Sequence, residues 1–72
     1  MRIDSIAIVE LQEKRGLTGK DLAAMAGMLP GSLSNLKRKG STTKLTACRI
    51  ARALGVSLEE ITEKEQEGGE AR

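Results

Sequence analysis

Apolar residues recur every three or four positions along most of the chain, a spacing that places them on one face of an α-helix. No segment alternates apolar and polar residues as a half-buried strand does. The pattern predicts five short helices joined by loops of a few residues, and therefore an all-α fold. We expect one domain over residues 1–62, followed by an acidic, disordered tail over residues 63–72.

The first two helices have clear start and stop signals. Helix 1 is predicted from about Ser5 to Arg15, and Gly16 ends it as a left-handed cap. Thr18 is a good N-cap for helix 2, with Asp21 completing a capping box, and Gly27 ends that helix. The apolar face expected for helix 1 consists of Ile8 and Leu11, extended by Ile3, Ile6 and Ala7.

Helix 3 is predicted from Pro30 to about Arg38, because proline suits the first helical position. Its residues divide between two sides at 100° per residue. The apolar side is expected to hold Leu29, Leu33 and Leu36, and the opposite side Gly31, Ser34, Asn35 and Arg38. Helix 4 is predicted from near Thr43 to Leu54, and a second capping box, Ser57 to Glu60, predicts helix 5 from about Leu58.

The spacing between helices 2 and 3 points to a helix-turn-helix. A small residue, Ala23, lets one helix cross closely over the other, and Gly27 permits the positive φ of a sharp turn. Leu33 and Leu36 then press helix 3 inward and leave its opposite side free. Such a projecting helix fits the major groove of DNA.

Composition excludes several kinds of function. The chain has no Phe, Tyr, Trp or His and one cysteine, Cys48. Aromatic stacking on single-stranded nucleic acid, His-based catalysis and an ordinary zinc site are therefore ruled out. We expect no enzyme activity, no cofactor and no metal. The lone cysteine favours a cytoplasmic location, and no apolar run approaches the roughly 18–20 residues of a membrane span.

Charge is distributed unevenly, although the net charge is only +2. Residues 14–52 carry nine Lys or Arg against Asp21 alone, a net +8, while residues 1–13 carry −2 and residues 53–72 carry −4. The basic middle of the chain, between two acidic ends, suggests that one face of the fold binds a polyanion. The acidic end is most simply a solubilising end; otherwise it could contact a protein partner or tune DNA affinity by repulsion.

Four stretches of sequence together resemble a known family. They are Glu13-Lys14-Arg15-Gly16-Leu17-Thr18, Asp21-Leu22-Ala23 with Gly27, Leu33-Ser34-Asn35-Leu36, and Ile50 to Ile61. In this order and spacing they resemble the Cro/C1-type helix-turn-helix family, also described as lambda-repressor-like or XRE-like. The resemblance covers roughly residues 6–61. It implies a compact five-helix DNA-binding domain with the helix-turn-helix at helices 2 and 3.

The resemblance also implies roles for particular residues. The outer face of helix 3 would read base edges in double-stranded DNA, whereas the start of helix 2 and the end of helix 3 would hold phosphates. The base-facing candidates are Pro30, Gly31, Ser32 and Asn35. The phosphate-contacting candidates are Thr18, Gly19, Lys20, Lys37, Arg38, Lys39 and Thr42. The basic run at 37–39 could instead be a solvated helix end favoured by the helix dipole.

Several residues depart from the family pattern. Gly19 stands where glutamine is common, and Leu29 replaces the usual Ser or Thr cap of helix 3. Pro30 and Gly31 occupy positions that often carry base-reading side chains, so DNA shape and phosphate contacts are expected to contribute more. Gln12 and Lys37 stand where many members have an Arg–Glu pair between helices 1 and 3, and that ion pair cannot form here.

The sequence thus predicts a sequence-specific regulator of transcription that binds double-stranded DNA, with weak homodimerisation through helix 4, helix 5 or exposed leucines. The alternative is a protein-interaction or antitoxin-like module that reuses the same fold. Weakened base-reading positions favour that alternative, and the cationic residues beside helix 3 favour DNA.

Overall fold

The computed structural model describes residues 1–63, which form four α-helices and a final 3₁₀ turn. The helices are α1 (Ser5–Lys14), α2 (Gly19–Ala26), α3 (Pro30–Lys39) and α4 (Lys44–Leu54), and the 3₁₀ turn is Leu58–Ile61. The all-α prediction is confirmed. The predicted helix 5 is this single 3₁₀ turn. The tail predicted beyond it lies outside the described residues, except for Glu63.

Local capping sets the helix boundaries much as the sequence indicated. The Thr18 hydroxyl accepts the Asp21 amide at 3.0 Å, and the Asp21 carboxylate accepts the Thr18 amide at 3.1 Å. This reciprocal capping box starts α2, and Thr43 caps α4 in a similar way by accepting from the Thr46 amide. Gly27 ends α2 at a φ of 72°, the left-handed region that favours glycine.

Aliphatic side chains from every element form a single core. Helix α2 lies at its centre and packs against both α3 and α4. The fully buried large side chains are Ile3, Ile8, Leu22, Leu33, Ile50, Leu54 and Ile61. Small alanines let the helices pack closely, since Ala23 and Ala47 are completely buried. Close packing without aromatic residues is therefore achieved by interleaving aliphatic and alanine side chains.

Two apolar residues lie outside the core that the pattern predicted. Ile6 is 72% exposed because it lies on the outward side of α1, whereas Ile8 points inward. Leu29 is 73% exposed because it is the extended cap residue before α3 and not part of the helix. The prediction that Ile6 and Leu29 join the apolar faces of their helices is therefore wrong.

The first four residues form an extended segment that joins two distant parts of the chain. Ile3 donates its amide hydrogen to the Gly40 carbonyl at 3.0 Å, and Asp4 donates to the Ile61 carbonyl at 2.8 Å. Met1 accepts from the Thr42 amide, and Arg2 accepts from the Glu63 amide. Helical spacing predicted that Ile3 extends the face of helix 1. Ile3 is instead buried as part of this extended segment.

Within residues 1–63, none of the helices has the length and apolar character that crossing a membrane requires.

Candidate nucleic-acid interface

Helix α3 is attached to the fold by one side only. Leu33 and Leu36 are its buried residues, and they pack into the core beside α2. The rest of its surface includes Pro30, Gly31, Ser32 and Asn35, all exposed to solvent. The four residues predicted to face DNA bases therefore lie on the surface of one helix, with Pro30 in its first turn.

The tight turn between α2 and α3 determines how α3 projects. After the left-handed Gly27, Met28 returns an amide hydrogen bond of 2.9 Å to the Ala23 carbonyl. Leu29 then starts α3 without any hydrogen bond from its side chain, as expected for leucine in place of Ser or Thr. The fixed φ of Pro30 offers the preorganisation that a capping side chain would otherwise give.

Asn35 and Arg38 contact each other on the exposed side of α3. The Arg38 guanidinium donates to the Asn35 side-chain oxygen at 2.7 Å. The two residues are three positions apart and so share one helix face. This bond orients the amide of Asn35 and holds the cation of Arg38 over the same surface.

Gly31 leaves the first turn of α3 without a side chain. A Cβ added there would meet nothing within 4 Å, and the residue does not have a positive φ. Neither crowding nor backbone conformation therefore requires glycine at this position. Its effect is a smooth surface that another molecule can approach closely.

The start of α2 forms a second part of the same candidate interface. Thr18 and Lys20 are exposed, and the amides of Gly19 and Lys20 occupy the first turn, where a helix leaves its N–H groups without partners in the helix. The hydrogen bonds from the Thr18 backbone and hydroxyl lower the pKa of Asp21. The carboxylate of Asp21 is thus held on the cap, while the amides of Gly19 and Lys20 donate to no acceptor within residues 1–63.

Lys37 differs from the neighbouring cations because its ammonium is directed toward α1. It donates a short hydrogen bond to the side-chain oxygen of Gln12, which is only 6% exposed. Burial lowers the pKa of Lys37. The Ser5 hydroxyl also donates to the Lys37 carbonyl at 2.7 Å. Helices α1 and α3 are therefore joined by hydrogen bonds at the positions where an ion pair is impossible.

A shallow groove runs from the exposed side of α3 to the start of α4. Lys39 lies on its rim, and Thr42 follows the left-handed Gly40, with its amide already donated to Met1. Beside Ser32 and Asn35, the groove has further lining residues that were not predicted at this surface: Met1, Ser41, Thr43 and Thr46. Thr43 lies here because it is the N-cap of α4, close to the start predicted for that helix.

The described residues contain no group of three or more His, Cys, Asp or Glu side chains arranged to hold a metal ion. The groove is lined by hydroxyl, amide and ammonium groups over an apolar floor of Met28 and Leu36. Its chemistry is suited to binding through hydrogen bonds and cationic contacts.

Two helices joined by a tight turn, with the second exposed along one side, define a helix-turn-helix protein. A family model described as helix-turn-helix, of the Cro/C1 and XRE-like type, matches residues 9–61. The chain belongs to this DNA-binding family, and the resemblance noted in the sequence is confirmed. Comparisons with curated proteins and with solved structures gave no match.

Proposed function

We propose that the protein regulates transcription by binding specific sequences in double-stranded DNA, with α3 in the major groove. The observation that carries this proposal is the one-sided packing of α3. Leu33 and Leu36 fix the helix in the core, and its opposite side is exposed beside Arg38 and Lys39. The width of the major groove admits such a helix.

In the proposed complex, base recognition is concentrated in Asn35 and Ser32. An asparagine amide can form two hydrogen bonds with adenine, and Asn35 would exchange its bond with Arg38 for that pairing. Pro30 and Gly31 offer no polar side-chain group to a base. They would instead let the first turn of α3 come close to the groove, so that DNA shape contributes to selection.

Phosphate contacts would hold the helix in register from both sides. On one side, the amides of Gly19 and Lys20 lie at the positive end of the α2 dipole, with Thr18 beside them. On the other side, Lys39 and Thr42 line the shallow groove beside α3, and Arg38 is exposed next to Asn35. Lys37 would join these contacts only by exchanging its bond with Gln12, and otherwise it positions α3 against α1.

Binding to DNA is tested with a duplex recovered by selection from random sequences. We expect the binding constant of the full chain to fall steeply with salt concentration. Arg38→Ala and Lys39→Ala should each reduce the slope of log K against log salt by about one, because each removes one phosphate contact. Fluorescence anisotropy at several salt concentrations measures this slope. Arg52→Ala, an exposed cation on α4, is the matched control and should leave the slope unchanged.

Base reading is tested separately with Asn35→Ala. This variant should relax the sequence preference at one position of the selected site, with a loss of about 1–3 kcal/mol of discrimination. Lys39→Ala should weaken binding to all DNA sequences to a similar extent. Absence of binding to any duplex at low salt, together with recovery of one protein partner in equal amount, would favour the protein-interaction module instead.

A further inference from the structure

Gln12 is the only buried polar side chain among residues 1–63. Its side-chain oxygen accepts from the Lys37 ammonium, but its amide nitrogen donates to no acceptor within the described part of the chain. Buried donors without an acceptor are rare in native proteins, because the hydrogen bonds to water are lost and nothing replaces them. The buried NH₂ group of Gln12 therefore points to a partner that the fold itself does not supply.

The same amide group lies beside the first turn of α2. A Cβ placed on Gly19, the first residue of that helix, would be 4.0 Å from the Gln12 side-chain nitrogen. The Gln12 carbonyl accepts the Leu17 amide at 2.8 Å, so the turn between α1 and α2 holds these parts of the chain together. Because residue 19 is glycine, no side chain from this position fills the space beside the Gln12 amide.

Backbone N–H groups without partners join the Gln12 amide at this place. The amides of Gly19 and Lys20 donate to no acceptor within residues 1–63, since the first N–H groups of a helix have no partner inside it. Lys20 adds an exposed cation, and the carboxylate of this turn, Asp21, already accepts the Thr18 amide. Several N–H donors at the positive end of a helix dipole are suited to holding a phosphate oxygen.

We infer that Gln12 binds a phosphate group at the start of α2, its side-chain NH₂ donating to the same anion as the Gly19 and Lys20 amides. Lys37 is a positioning residue of this site: it donates to the Gln12 oxygen and so leaves the nitrogen beside Gly19. The inference rests on the proposed DNA binding for its expected anion, a phosphodiester of the duplex. It adds a residue of α1 to the interface, and it gives Lys37 a role without a phosphate bond of its own.

Side-chain amide signals in NMR spectra of the isotope-labelled protein test the site directly. The chain has two glutamines and one asparagine, so few such signals occur, and their comparison with Gln12→Glu identifies the one from Gln12. The selected duplex should shift this signal together with the backbone signals of Gly19 and Lys20. Inorganic phosphate, compared with chloride at equal ionic strength, should shift the same signals more weakly.

Lys37 is tested by the same spectra. Lys37→Met should reduce the shift of the Gln12 signal on addition of the duplex, because nothing then holds the amide in one orientation. Lys37→Arg should restore the shift, since a guanidinium can still donate to the Gln12 oxygen. A full shift in Lys37→Met would overturn the positioning role.

Gln12→Glu separates phosphate binding from the support of α3. The glutamate keeps an oxygen for the Lys37 ammonium but has no N–H to donate. We expect its unfolding midpoint in urea to be no lower than that of the wild type. Its affinity for the selected duplex should fall at least about tenfold, with a similar loss on other DNA sequences. Ile6→Glu adds the same charge on the exposed side of α1 and, as the matched control, should lose much less affinity.

A duplex that binds without moving the Gln12 signal would overturn the inference, as would wild-type DNA affinity in Gln12→Glu. Shifts with the duplex and not with inorganic phosphate would support it and identify the anion as a DNA phosphodiester. If no duplex binds, the proposed function fails, but inorganic phosphate still decides this site. Joint shifts of the three signals would then support phosphate binding by Gln12, and their absence would overturn it.

Discussion

Gly31 lies in the first turn of α3, where no neighbouring atom would meet an added Cβ. Glycine within a helix costs stability because it loses more backbone freedom on folding than alanine does. No close contact or backbone conformation within the fold requires glycine here, so nothing in the structure offsets this cost. In the proposed complex, a close approach by DNA would explain glycine at this exposed position between Pro30 and Ser32.

Gly31→Ala should therefore change folding stability and DNA affinity in opposite directions. We expect the free energy of unfolding to rise by up to about 1 kcal/mol, because alanine is the better helix former. DNA affinity should fall, because the added methyl group occupies the approach surface. Urea denaturation and anisotropy on the same preparations measure the two effects.

The matched control is Ala24→Gly, which makes the reverse change at an exposed position of α2. It should lower the free energy of unfolding by a similar amount and leave DNA affinity unchanged where the protein is folded. A Gly31→Ala variant with unaltered affinity would show that this turn of α3 does not come close to DNA.

At the scale of the helix, starts and stops are local and were largely predictable. Thr18, Asp21 and Gly27 act on residues three or four positions away, so their roles can be identified from short motifs. Ser57 and Glu60 also form the expected capping box. The element that this box starts is only a 3₁₀ turn, because Thr62 is already extended and bridges to Ile3, a contact far away in sequence.

The capping box of α2 should make the free energy of unfolding depend measurably on pH in the acidic range. The pKa of Asp21 is below its ordinary value of 3.8 in the folded protein, mainly because its carboxylate accepts the Thr18 amide. The folded state thus binds this proton less readily than the unfolded state does. The stabilisation is present above pH 3.8 and is lost as pH falls through the lower folded pKa.

Asp21→Ala should abolish this part of the pH dependence, measured as the difference in unfolding free energy between wild type and variant from neutral pH downward. Thr43→Ala is the control, since it removes the cap of α4 and costs about 1 kcal/mol without removing a carboxylate. A constant difference between wild type and Asp21→Ala below pH 3.8 would contradict the assignment.

At the scale of the whole molecule, the extended segment at residues 1–4 connects the loop after α3 with the end of the 3₁₀ turn. Helical spacing could not reveal it, because Ile3 and Ile6 are three positions apart and fit one helix face equally well. Only the tertiary hydrogen bonds to Gly40 and Ile61 decide that Ile3 is buried. The outward side of α3 was predictable, since Leu33 and Leu36 fixed its orientation by themselves.

Ile3→Ala and Ile6→Ala should accordingly differ in effect. Ile3 is fully buried, so its truncation should reduce the free energy of unfolding by about 2–5 kcal/mol. Because Ile6 is exposed to solvent, Ile6→Ala should change the free energy of unfolding by no more than about 0.5 kcal/mol. Thermal or urea denaturation of the pair gives the comparison. Equal losses would mean that both isoleucines pack in the core.

The position of Met1 has a practical consequence for any measurement on this protein. Met1 lies in the groove that contains Ser32, Asn35 and Lys39, so a peptide fused ahead of it would emerge beside α3, the helix proposed to enter the major groove. A histidine-rich or strongly charged affinity tag at that end would add its own attraction or repulsion to the measured DNA affinity. Cleavage of such a tag before the binding experiment removes that contribution.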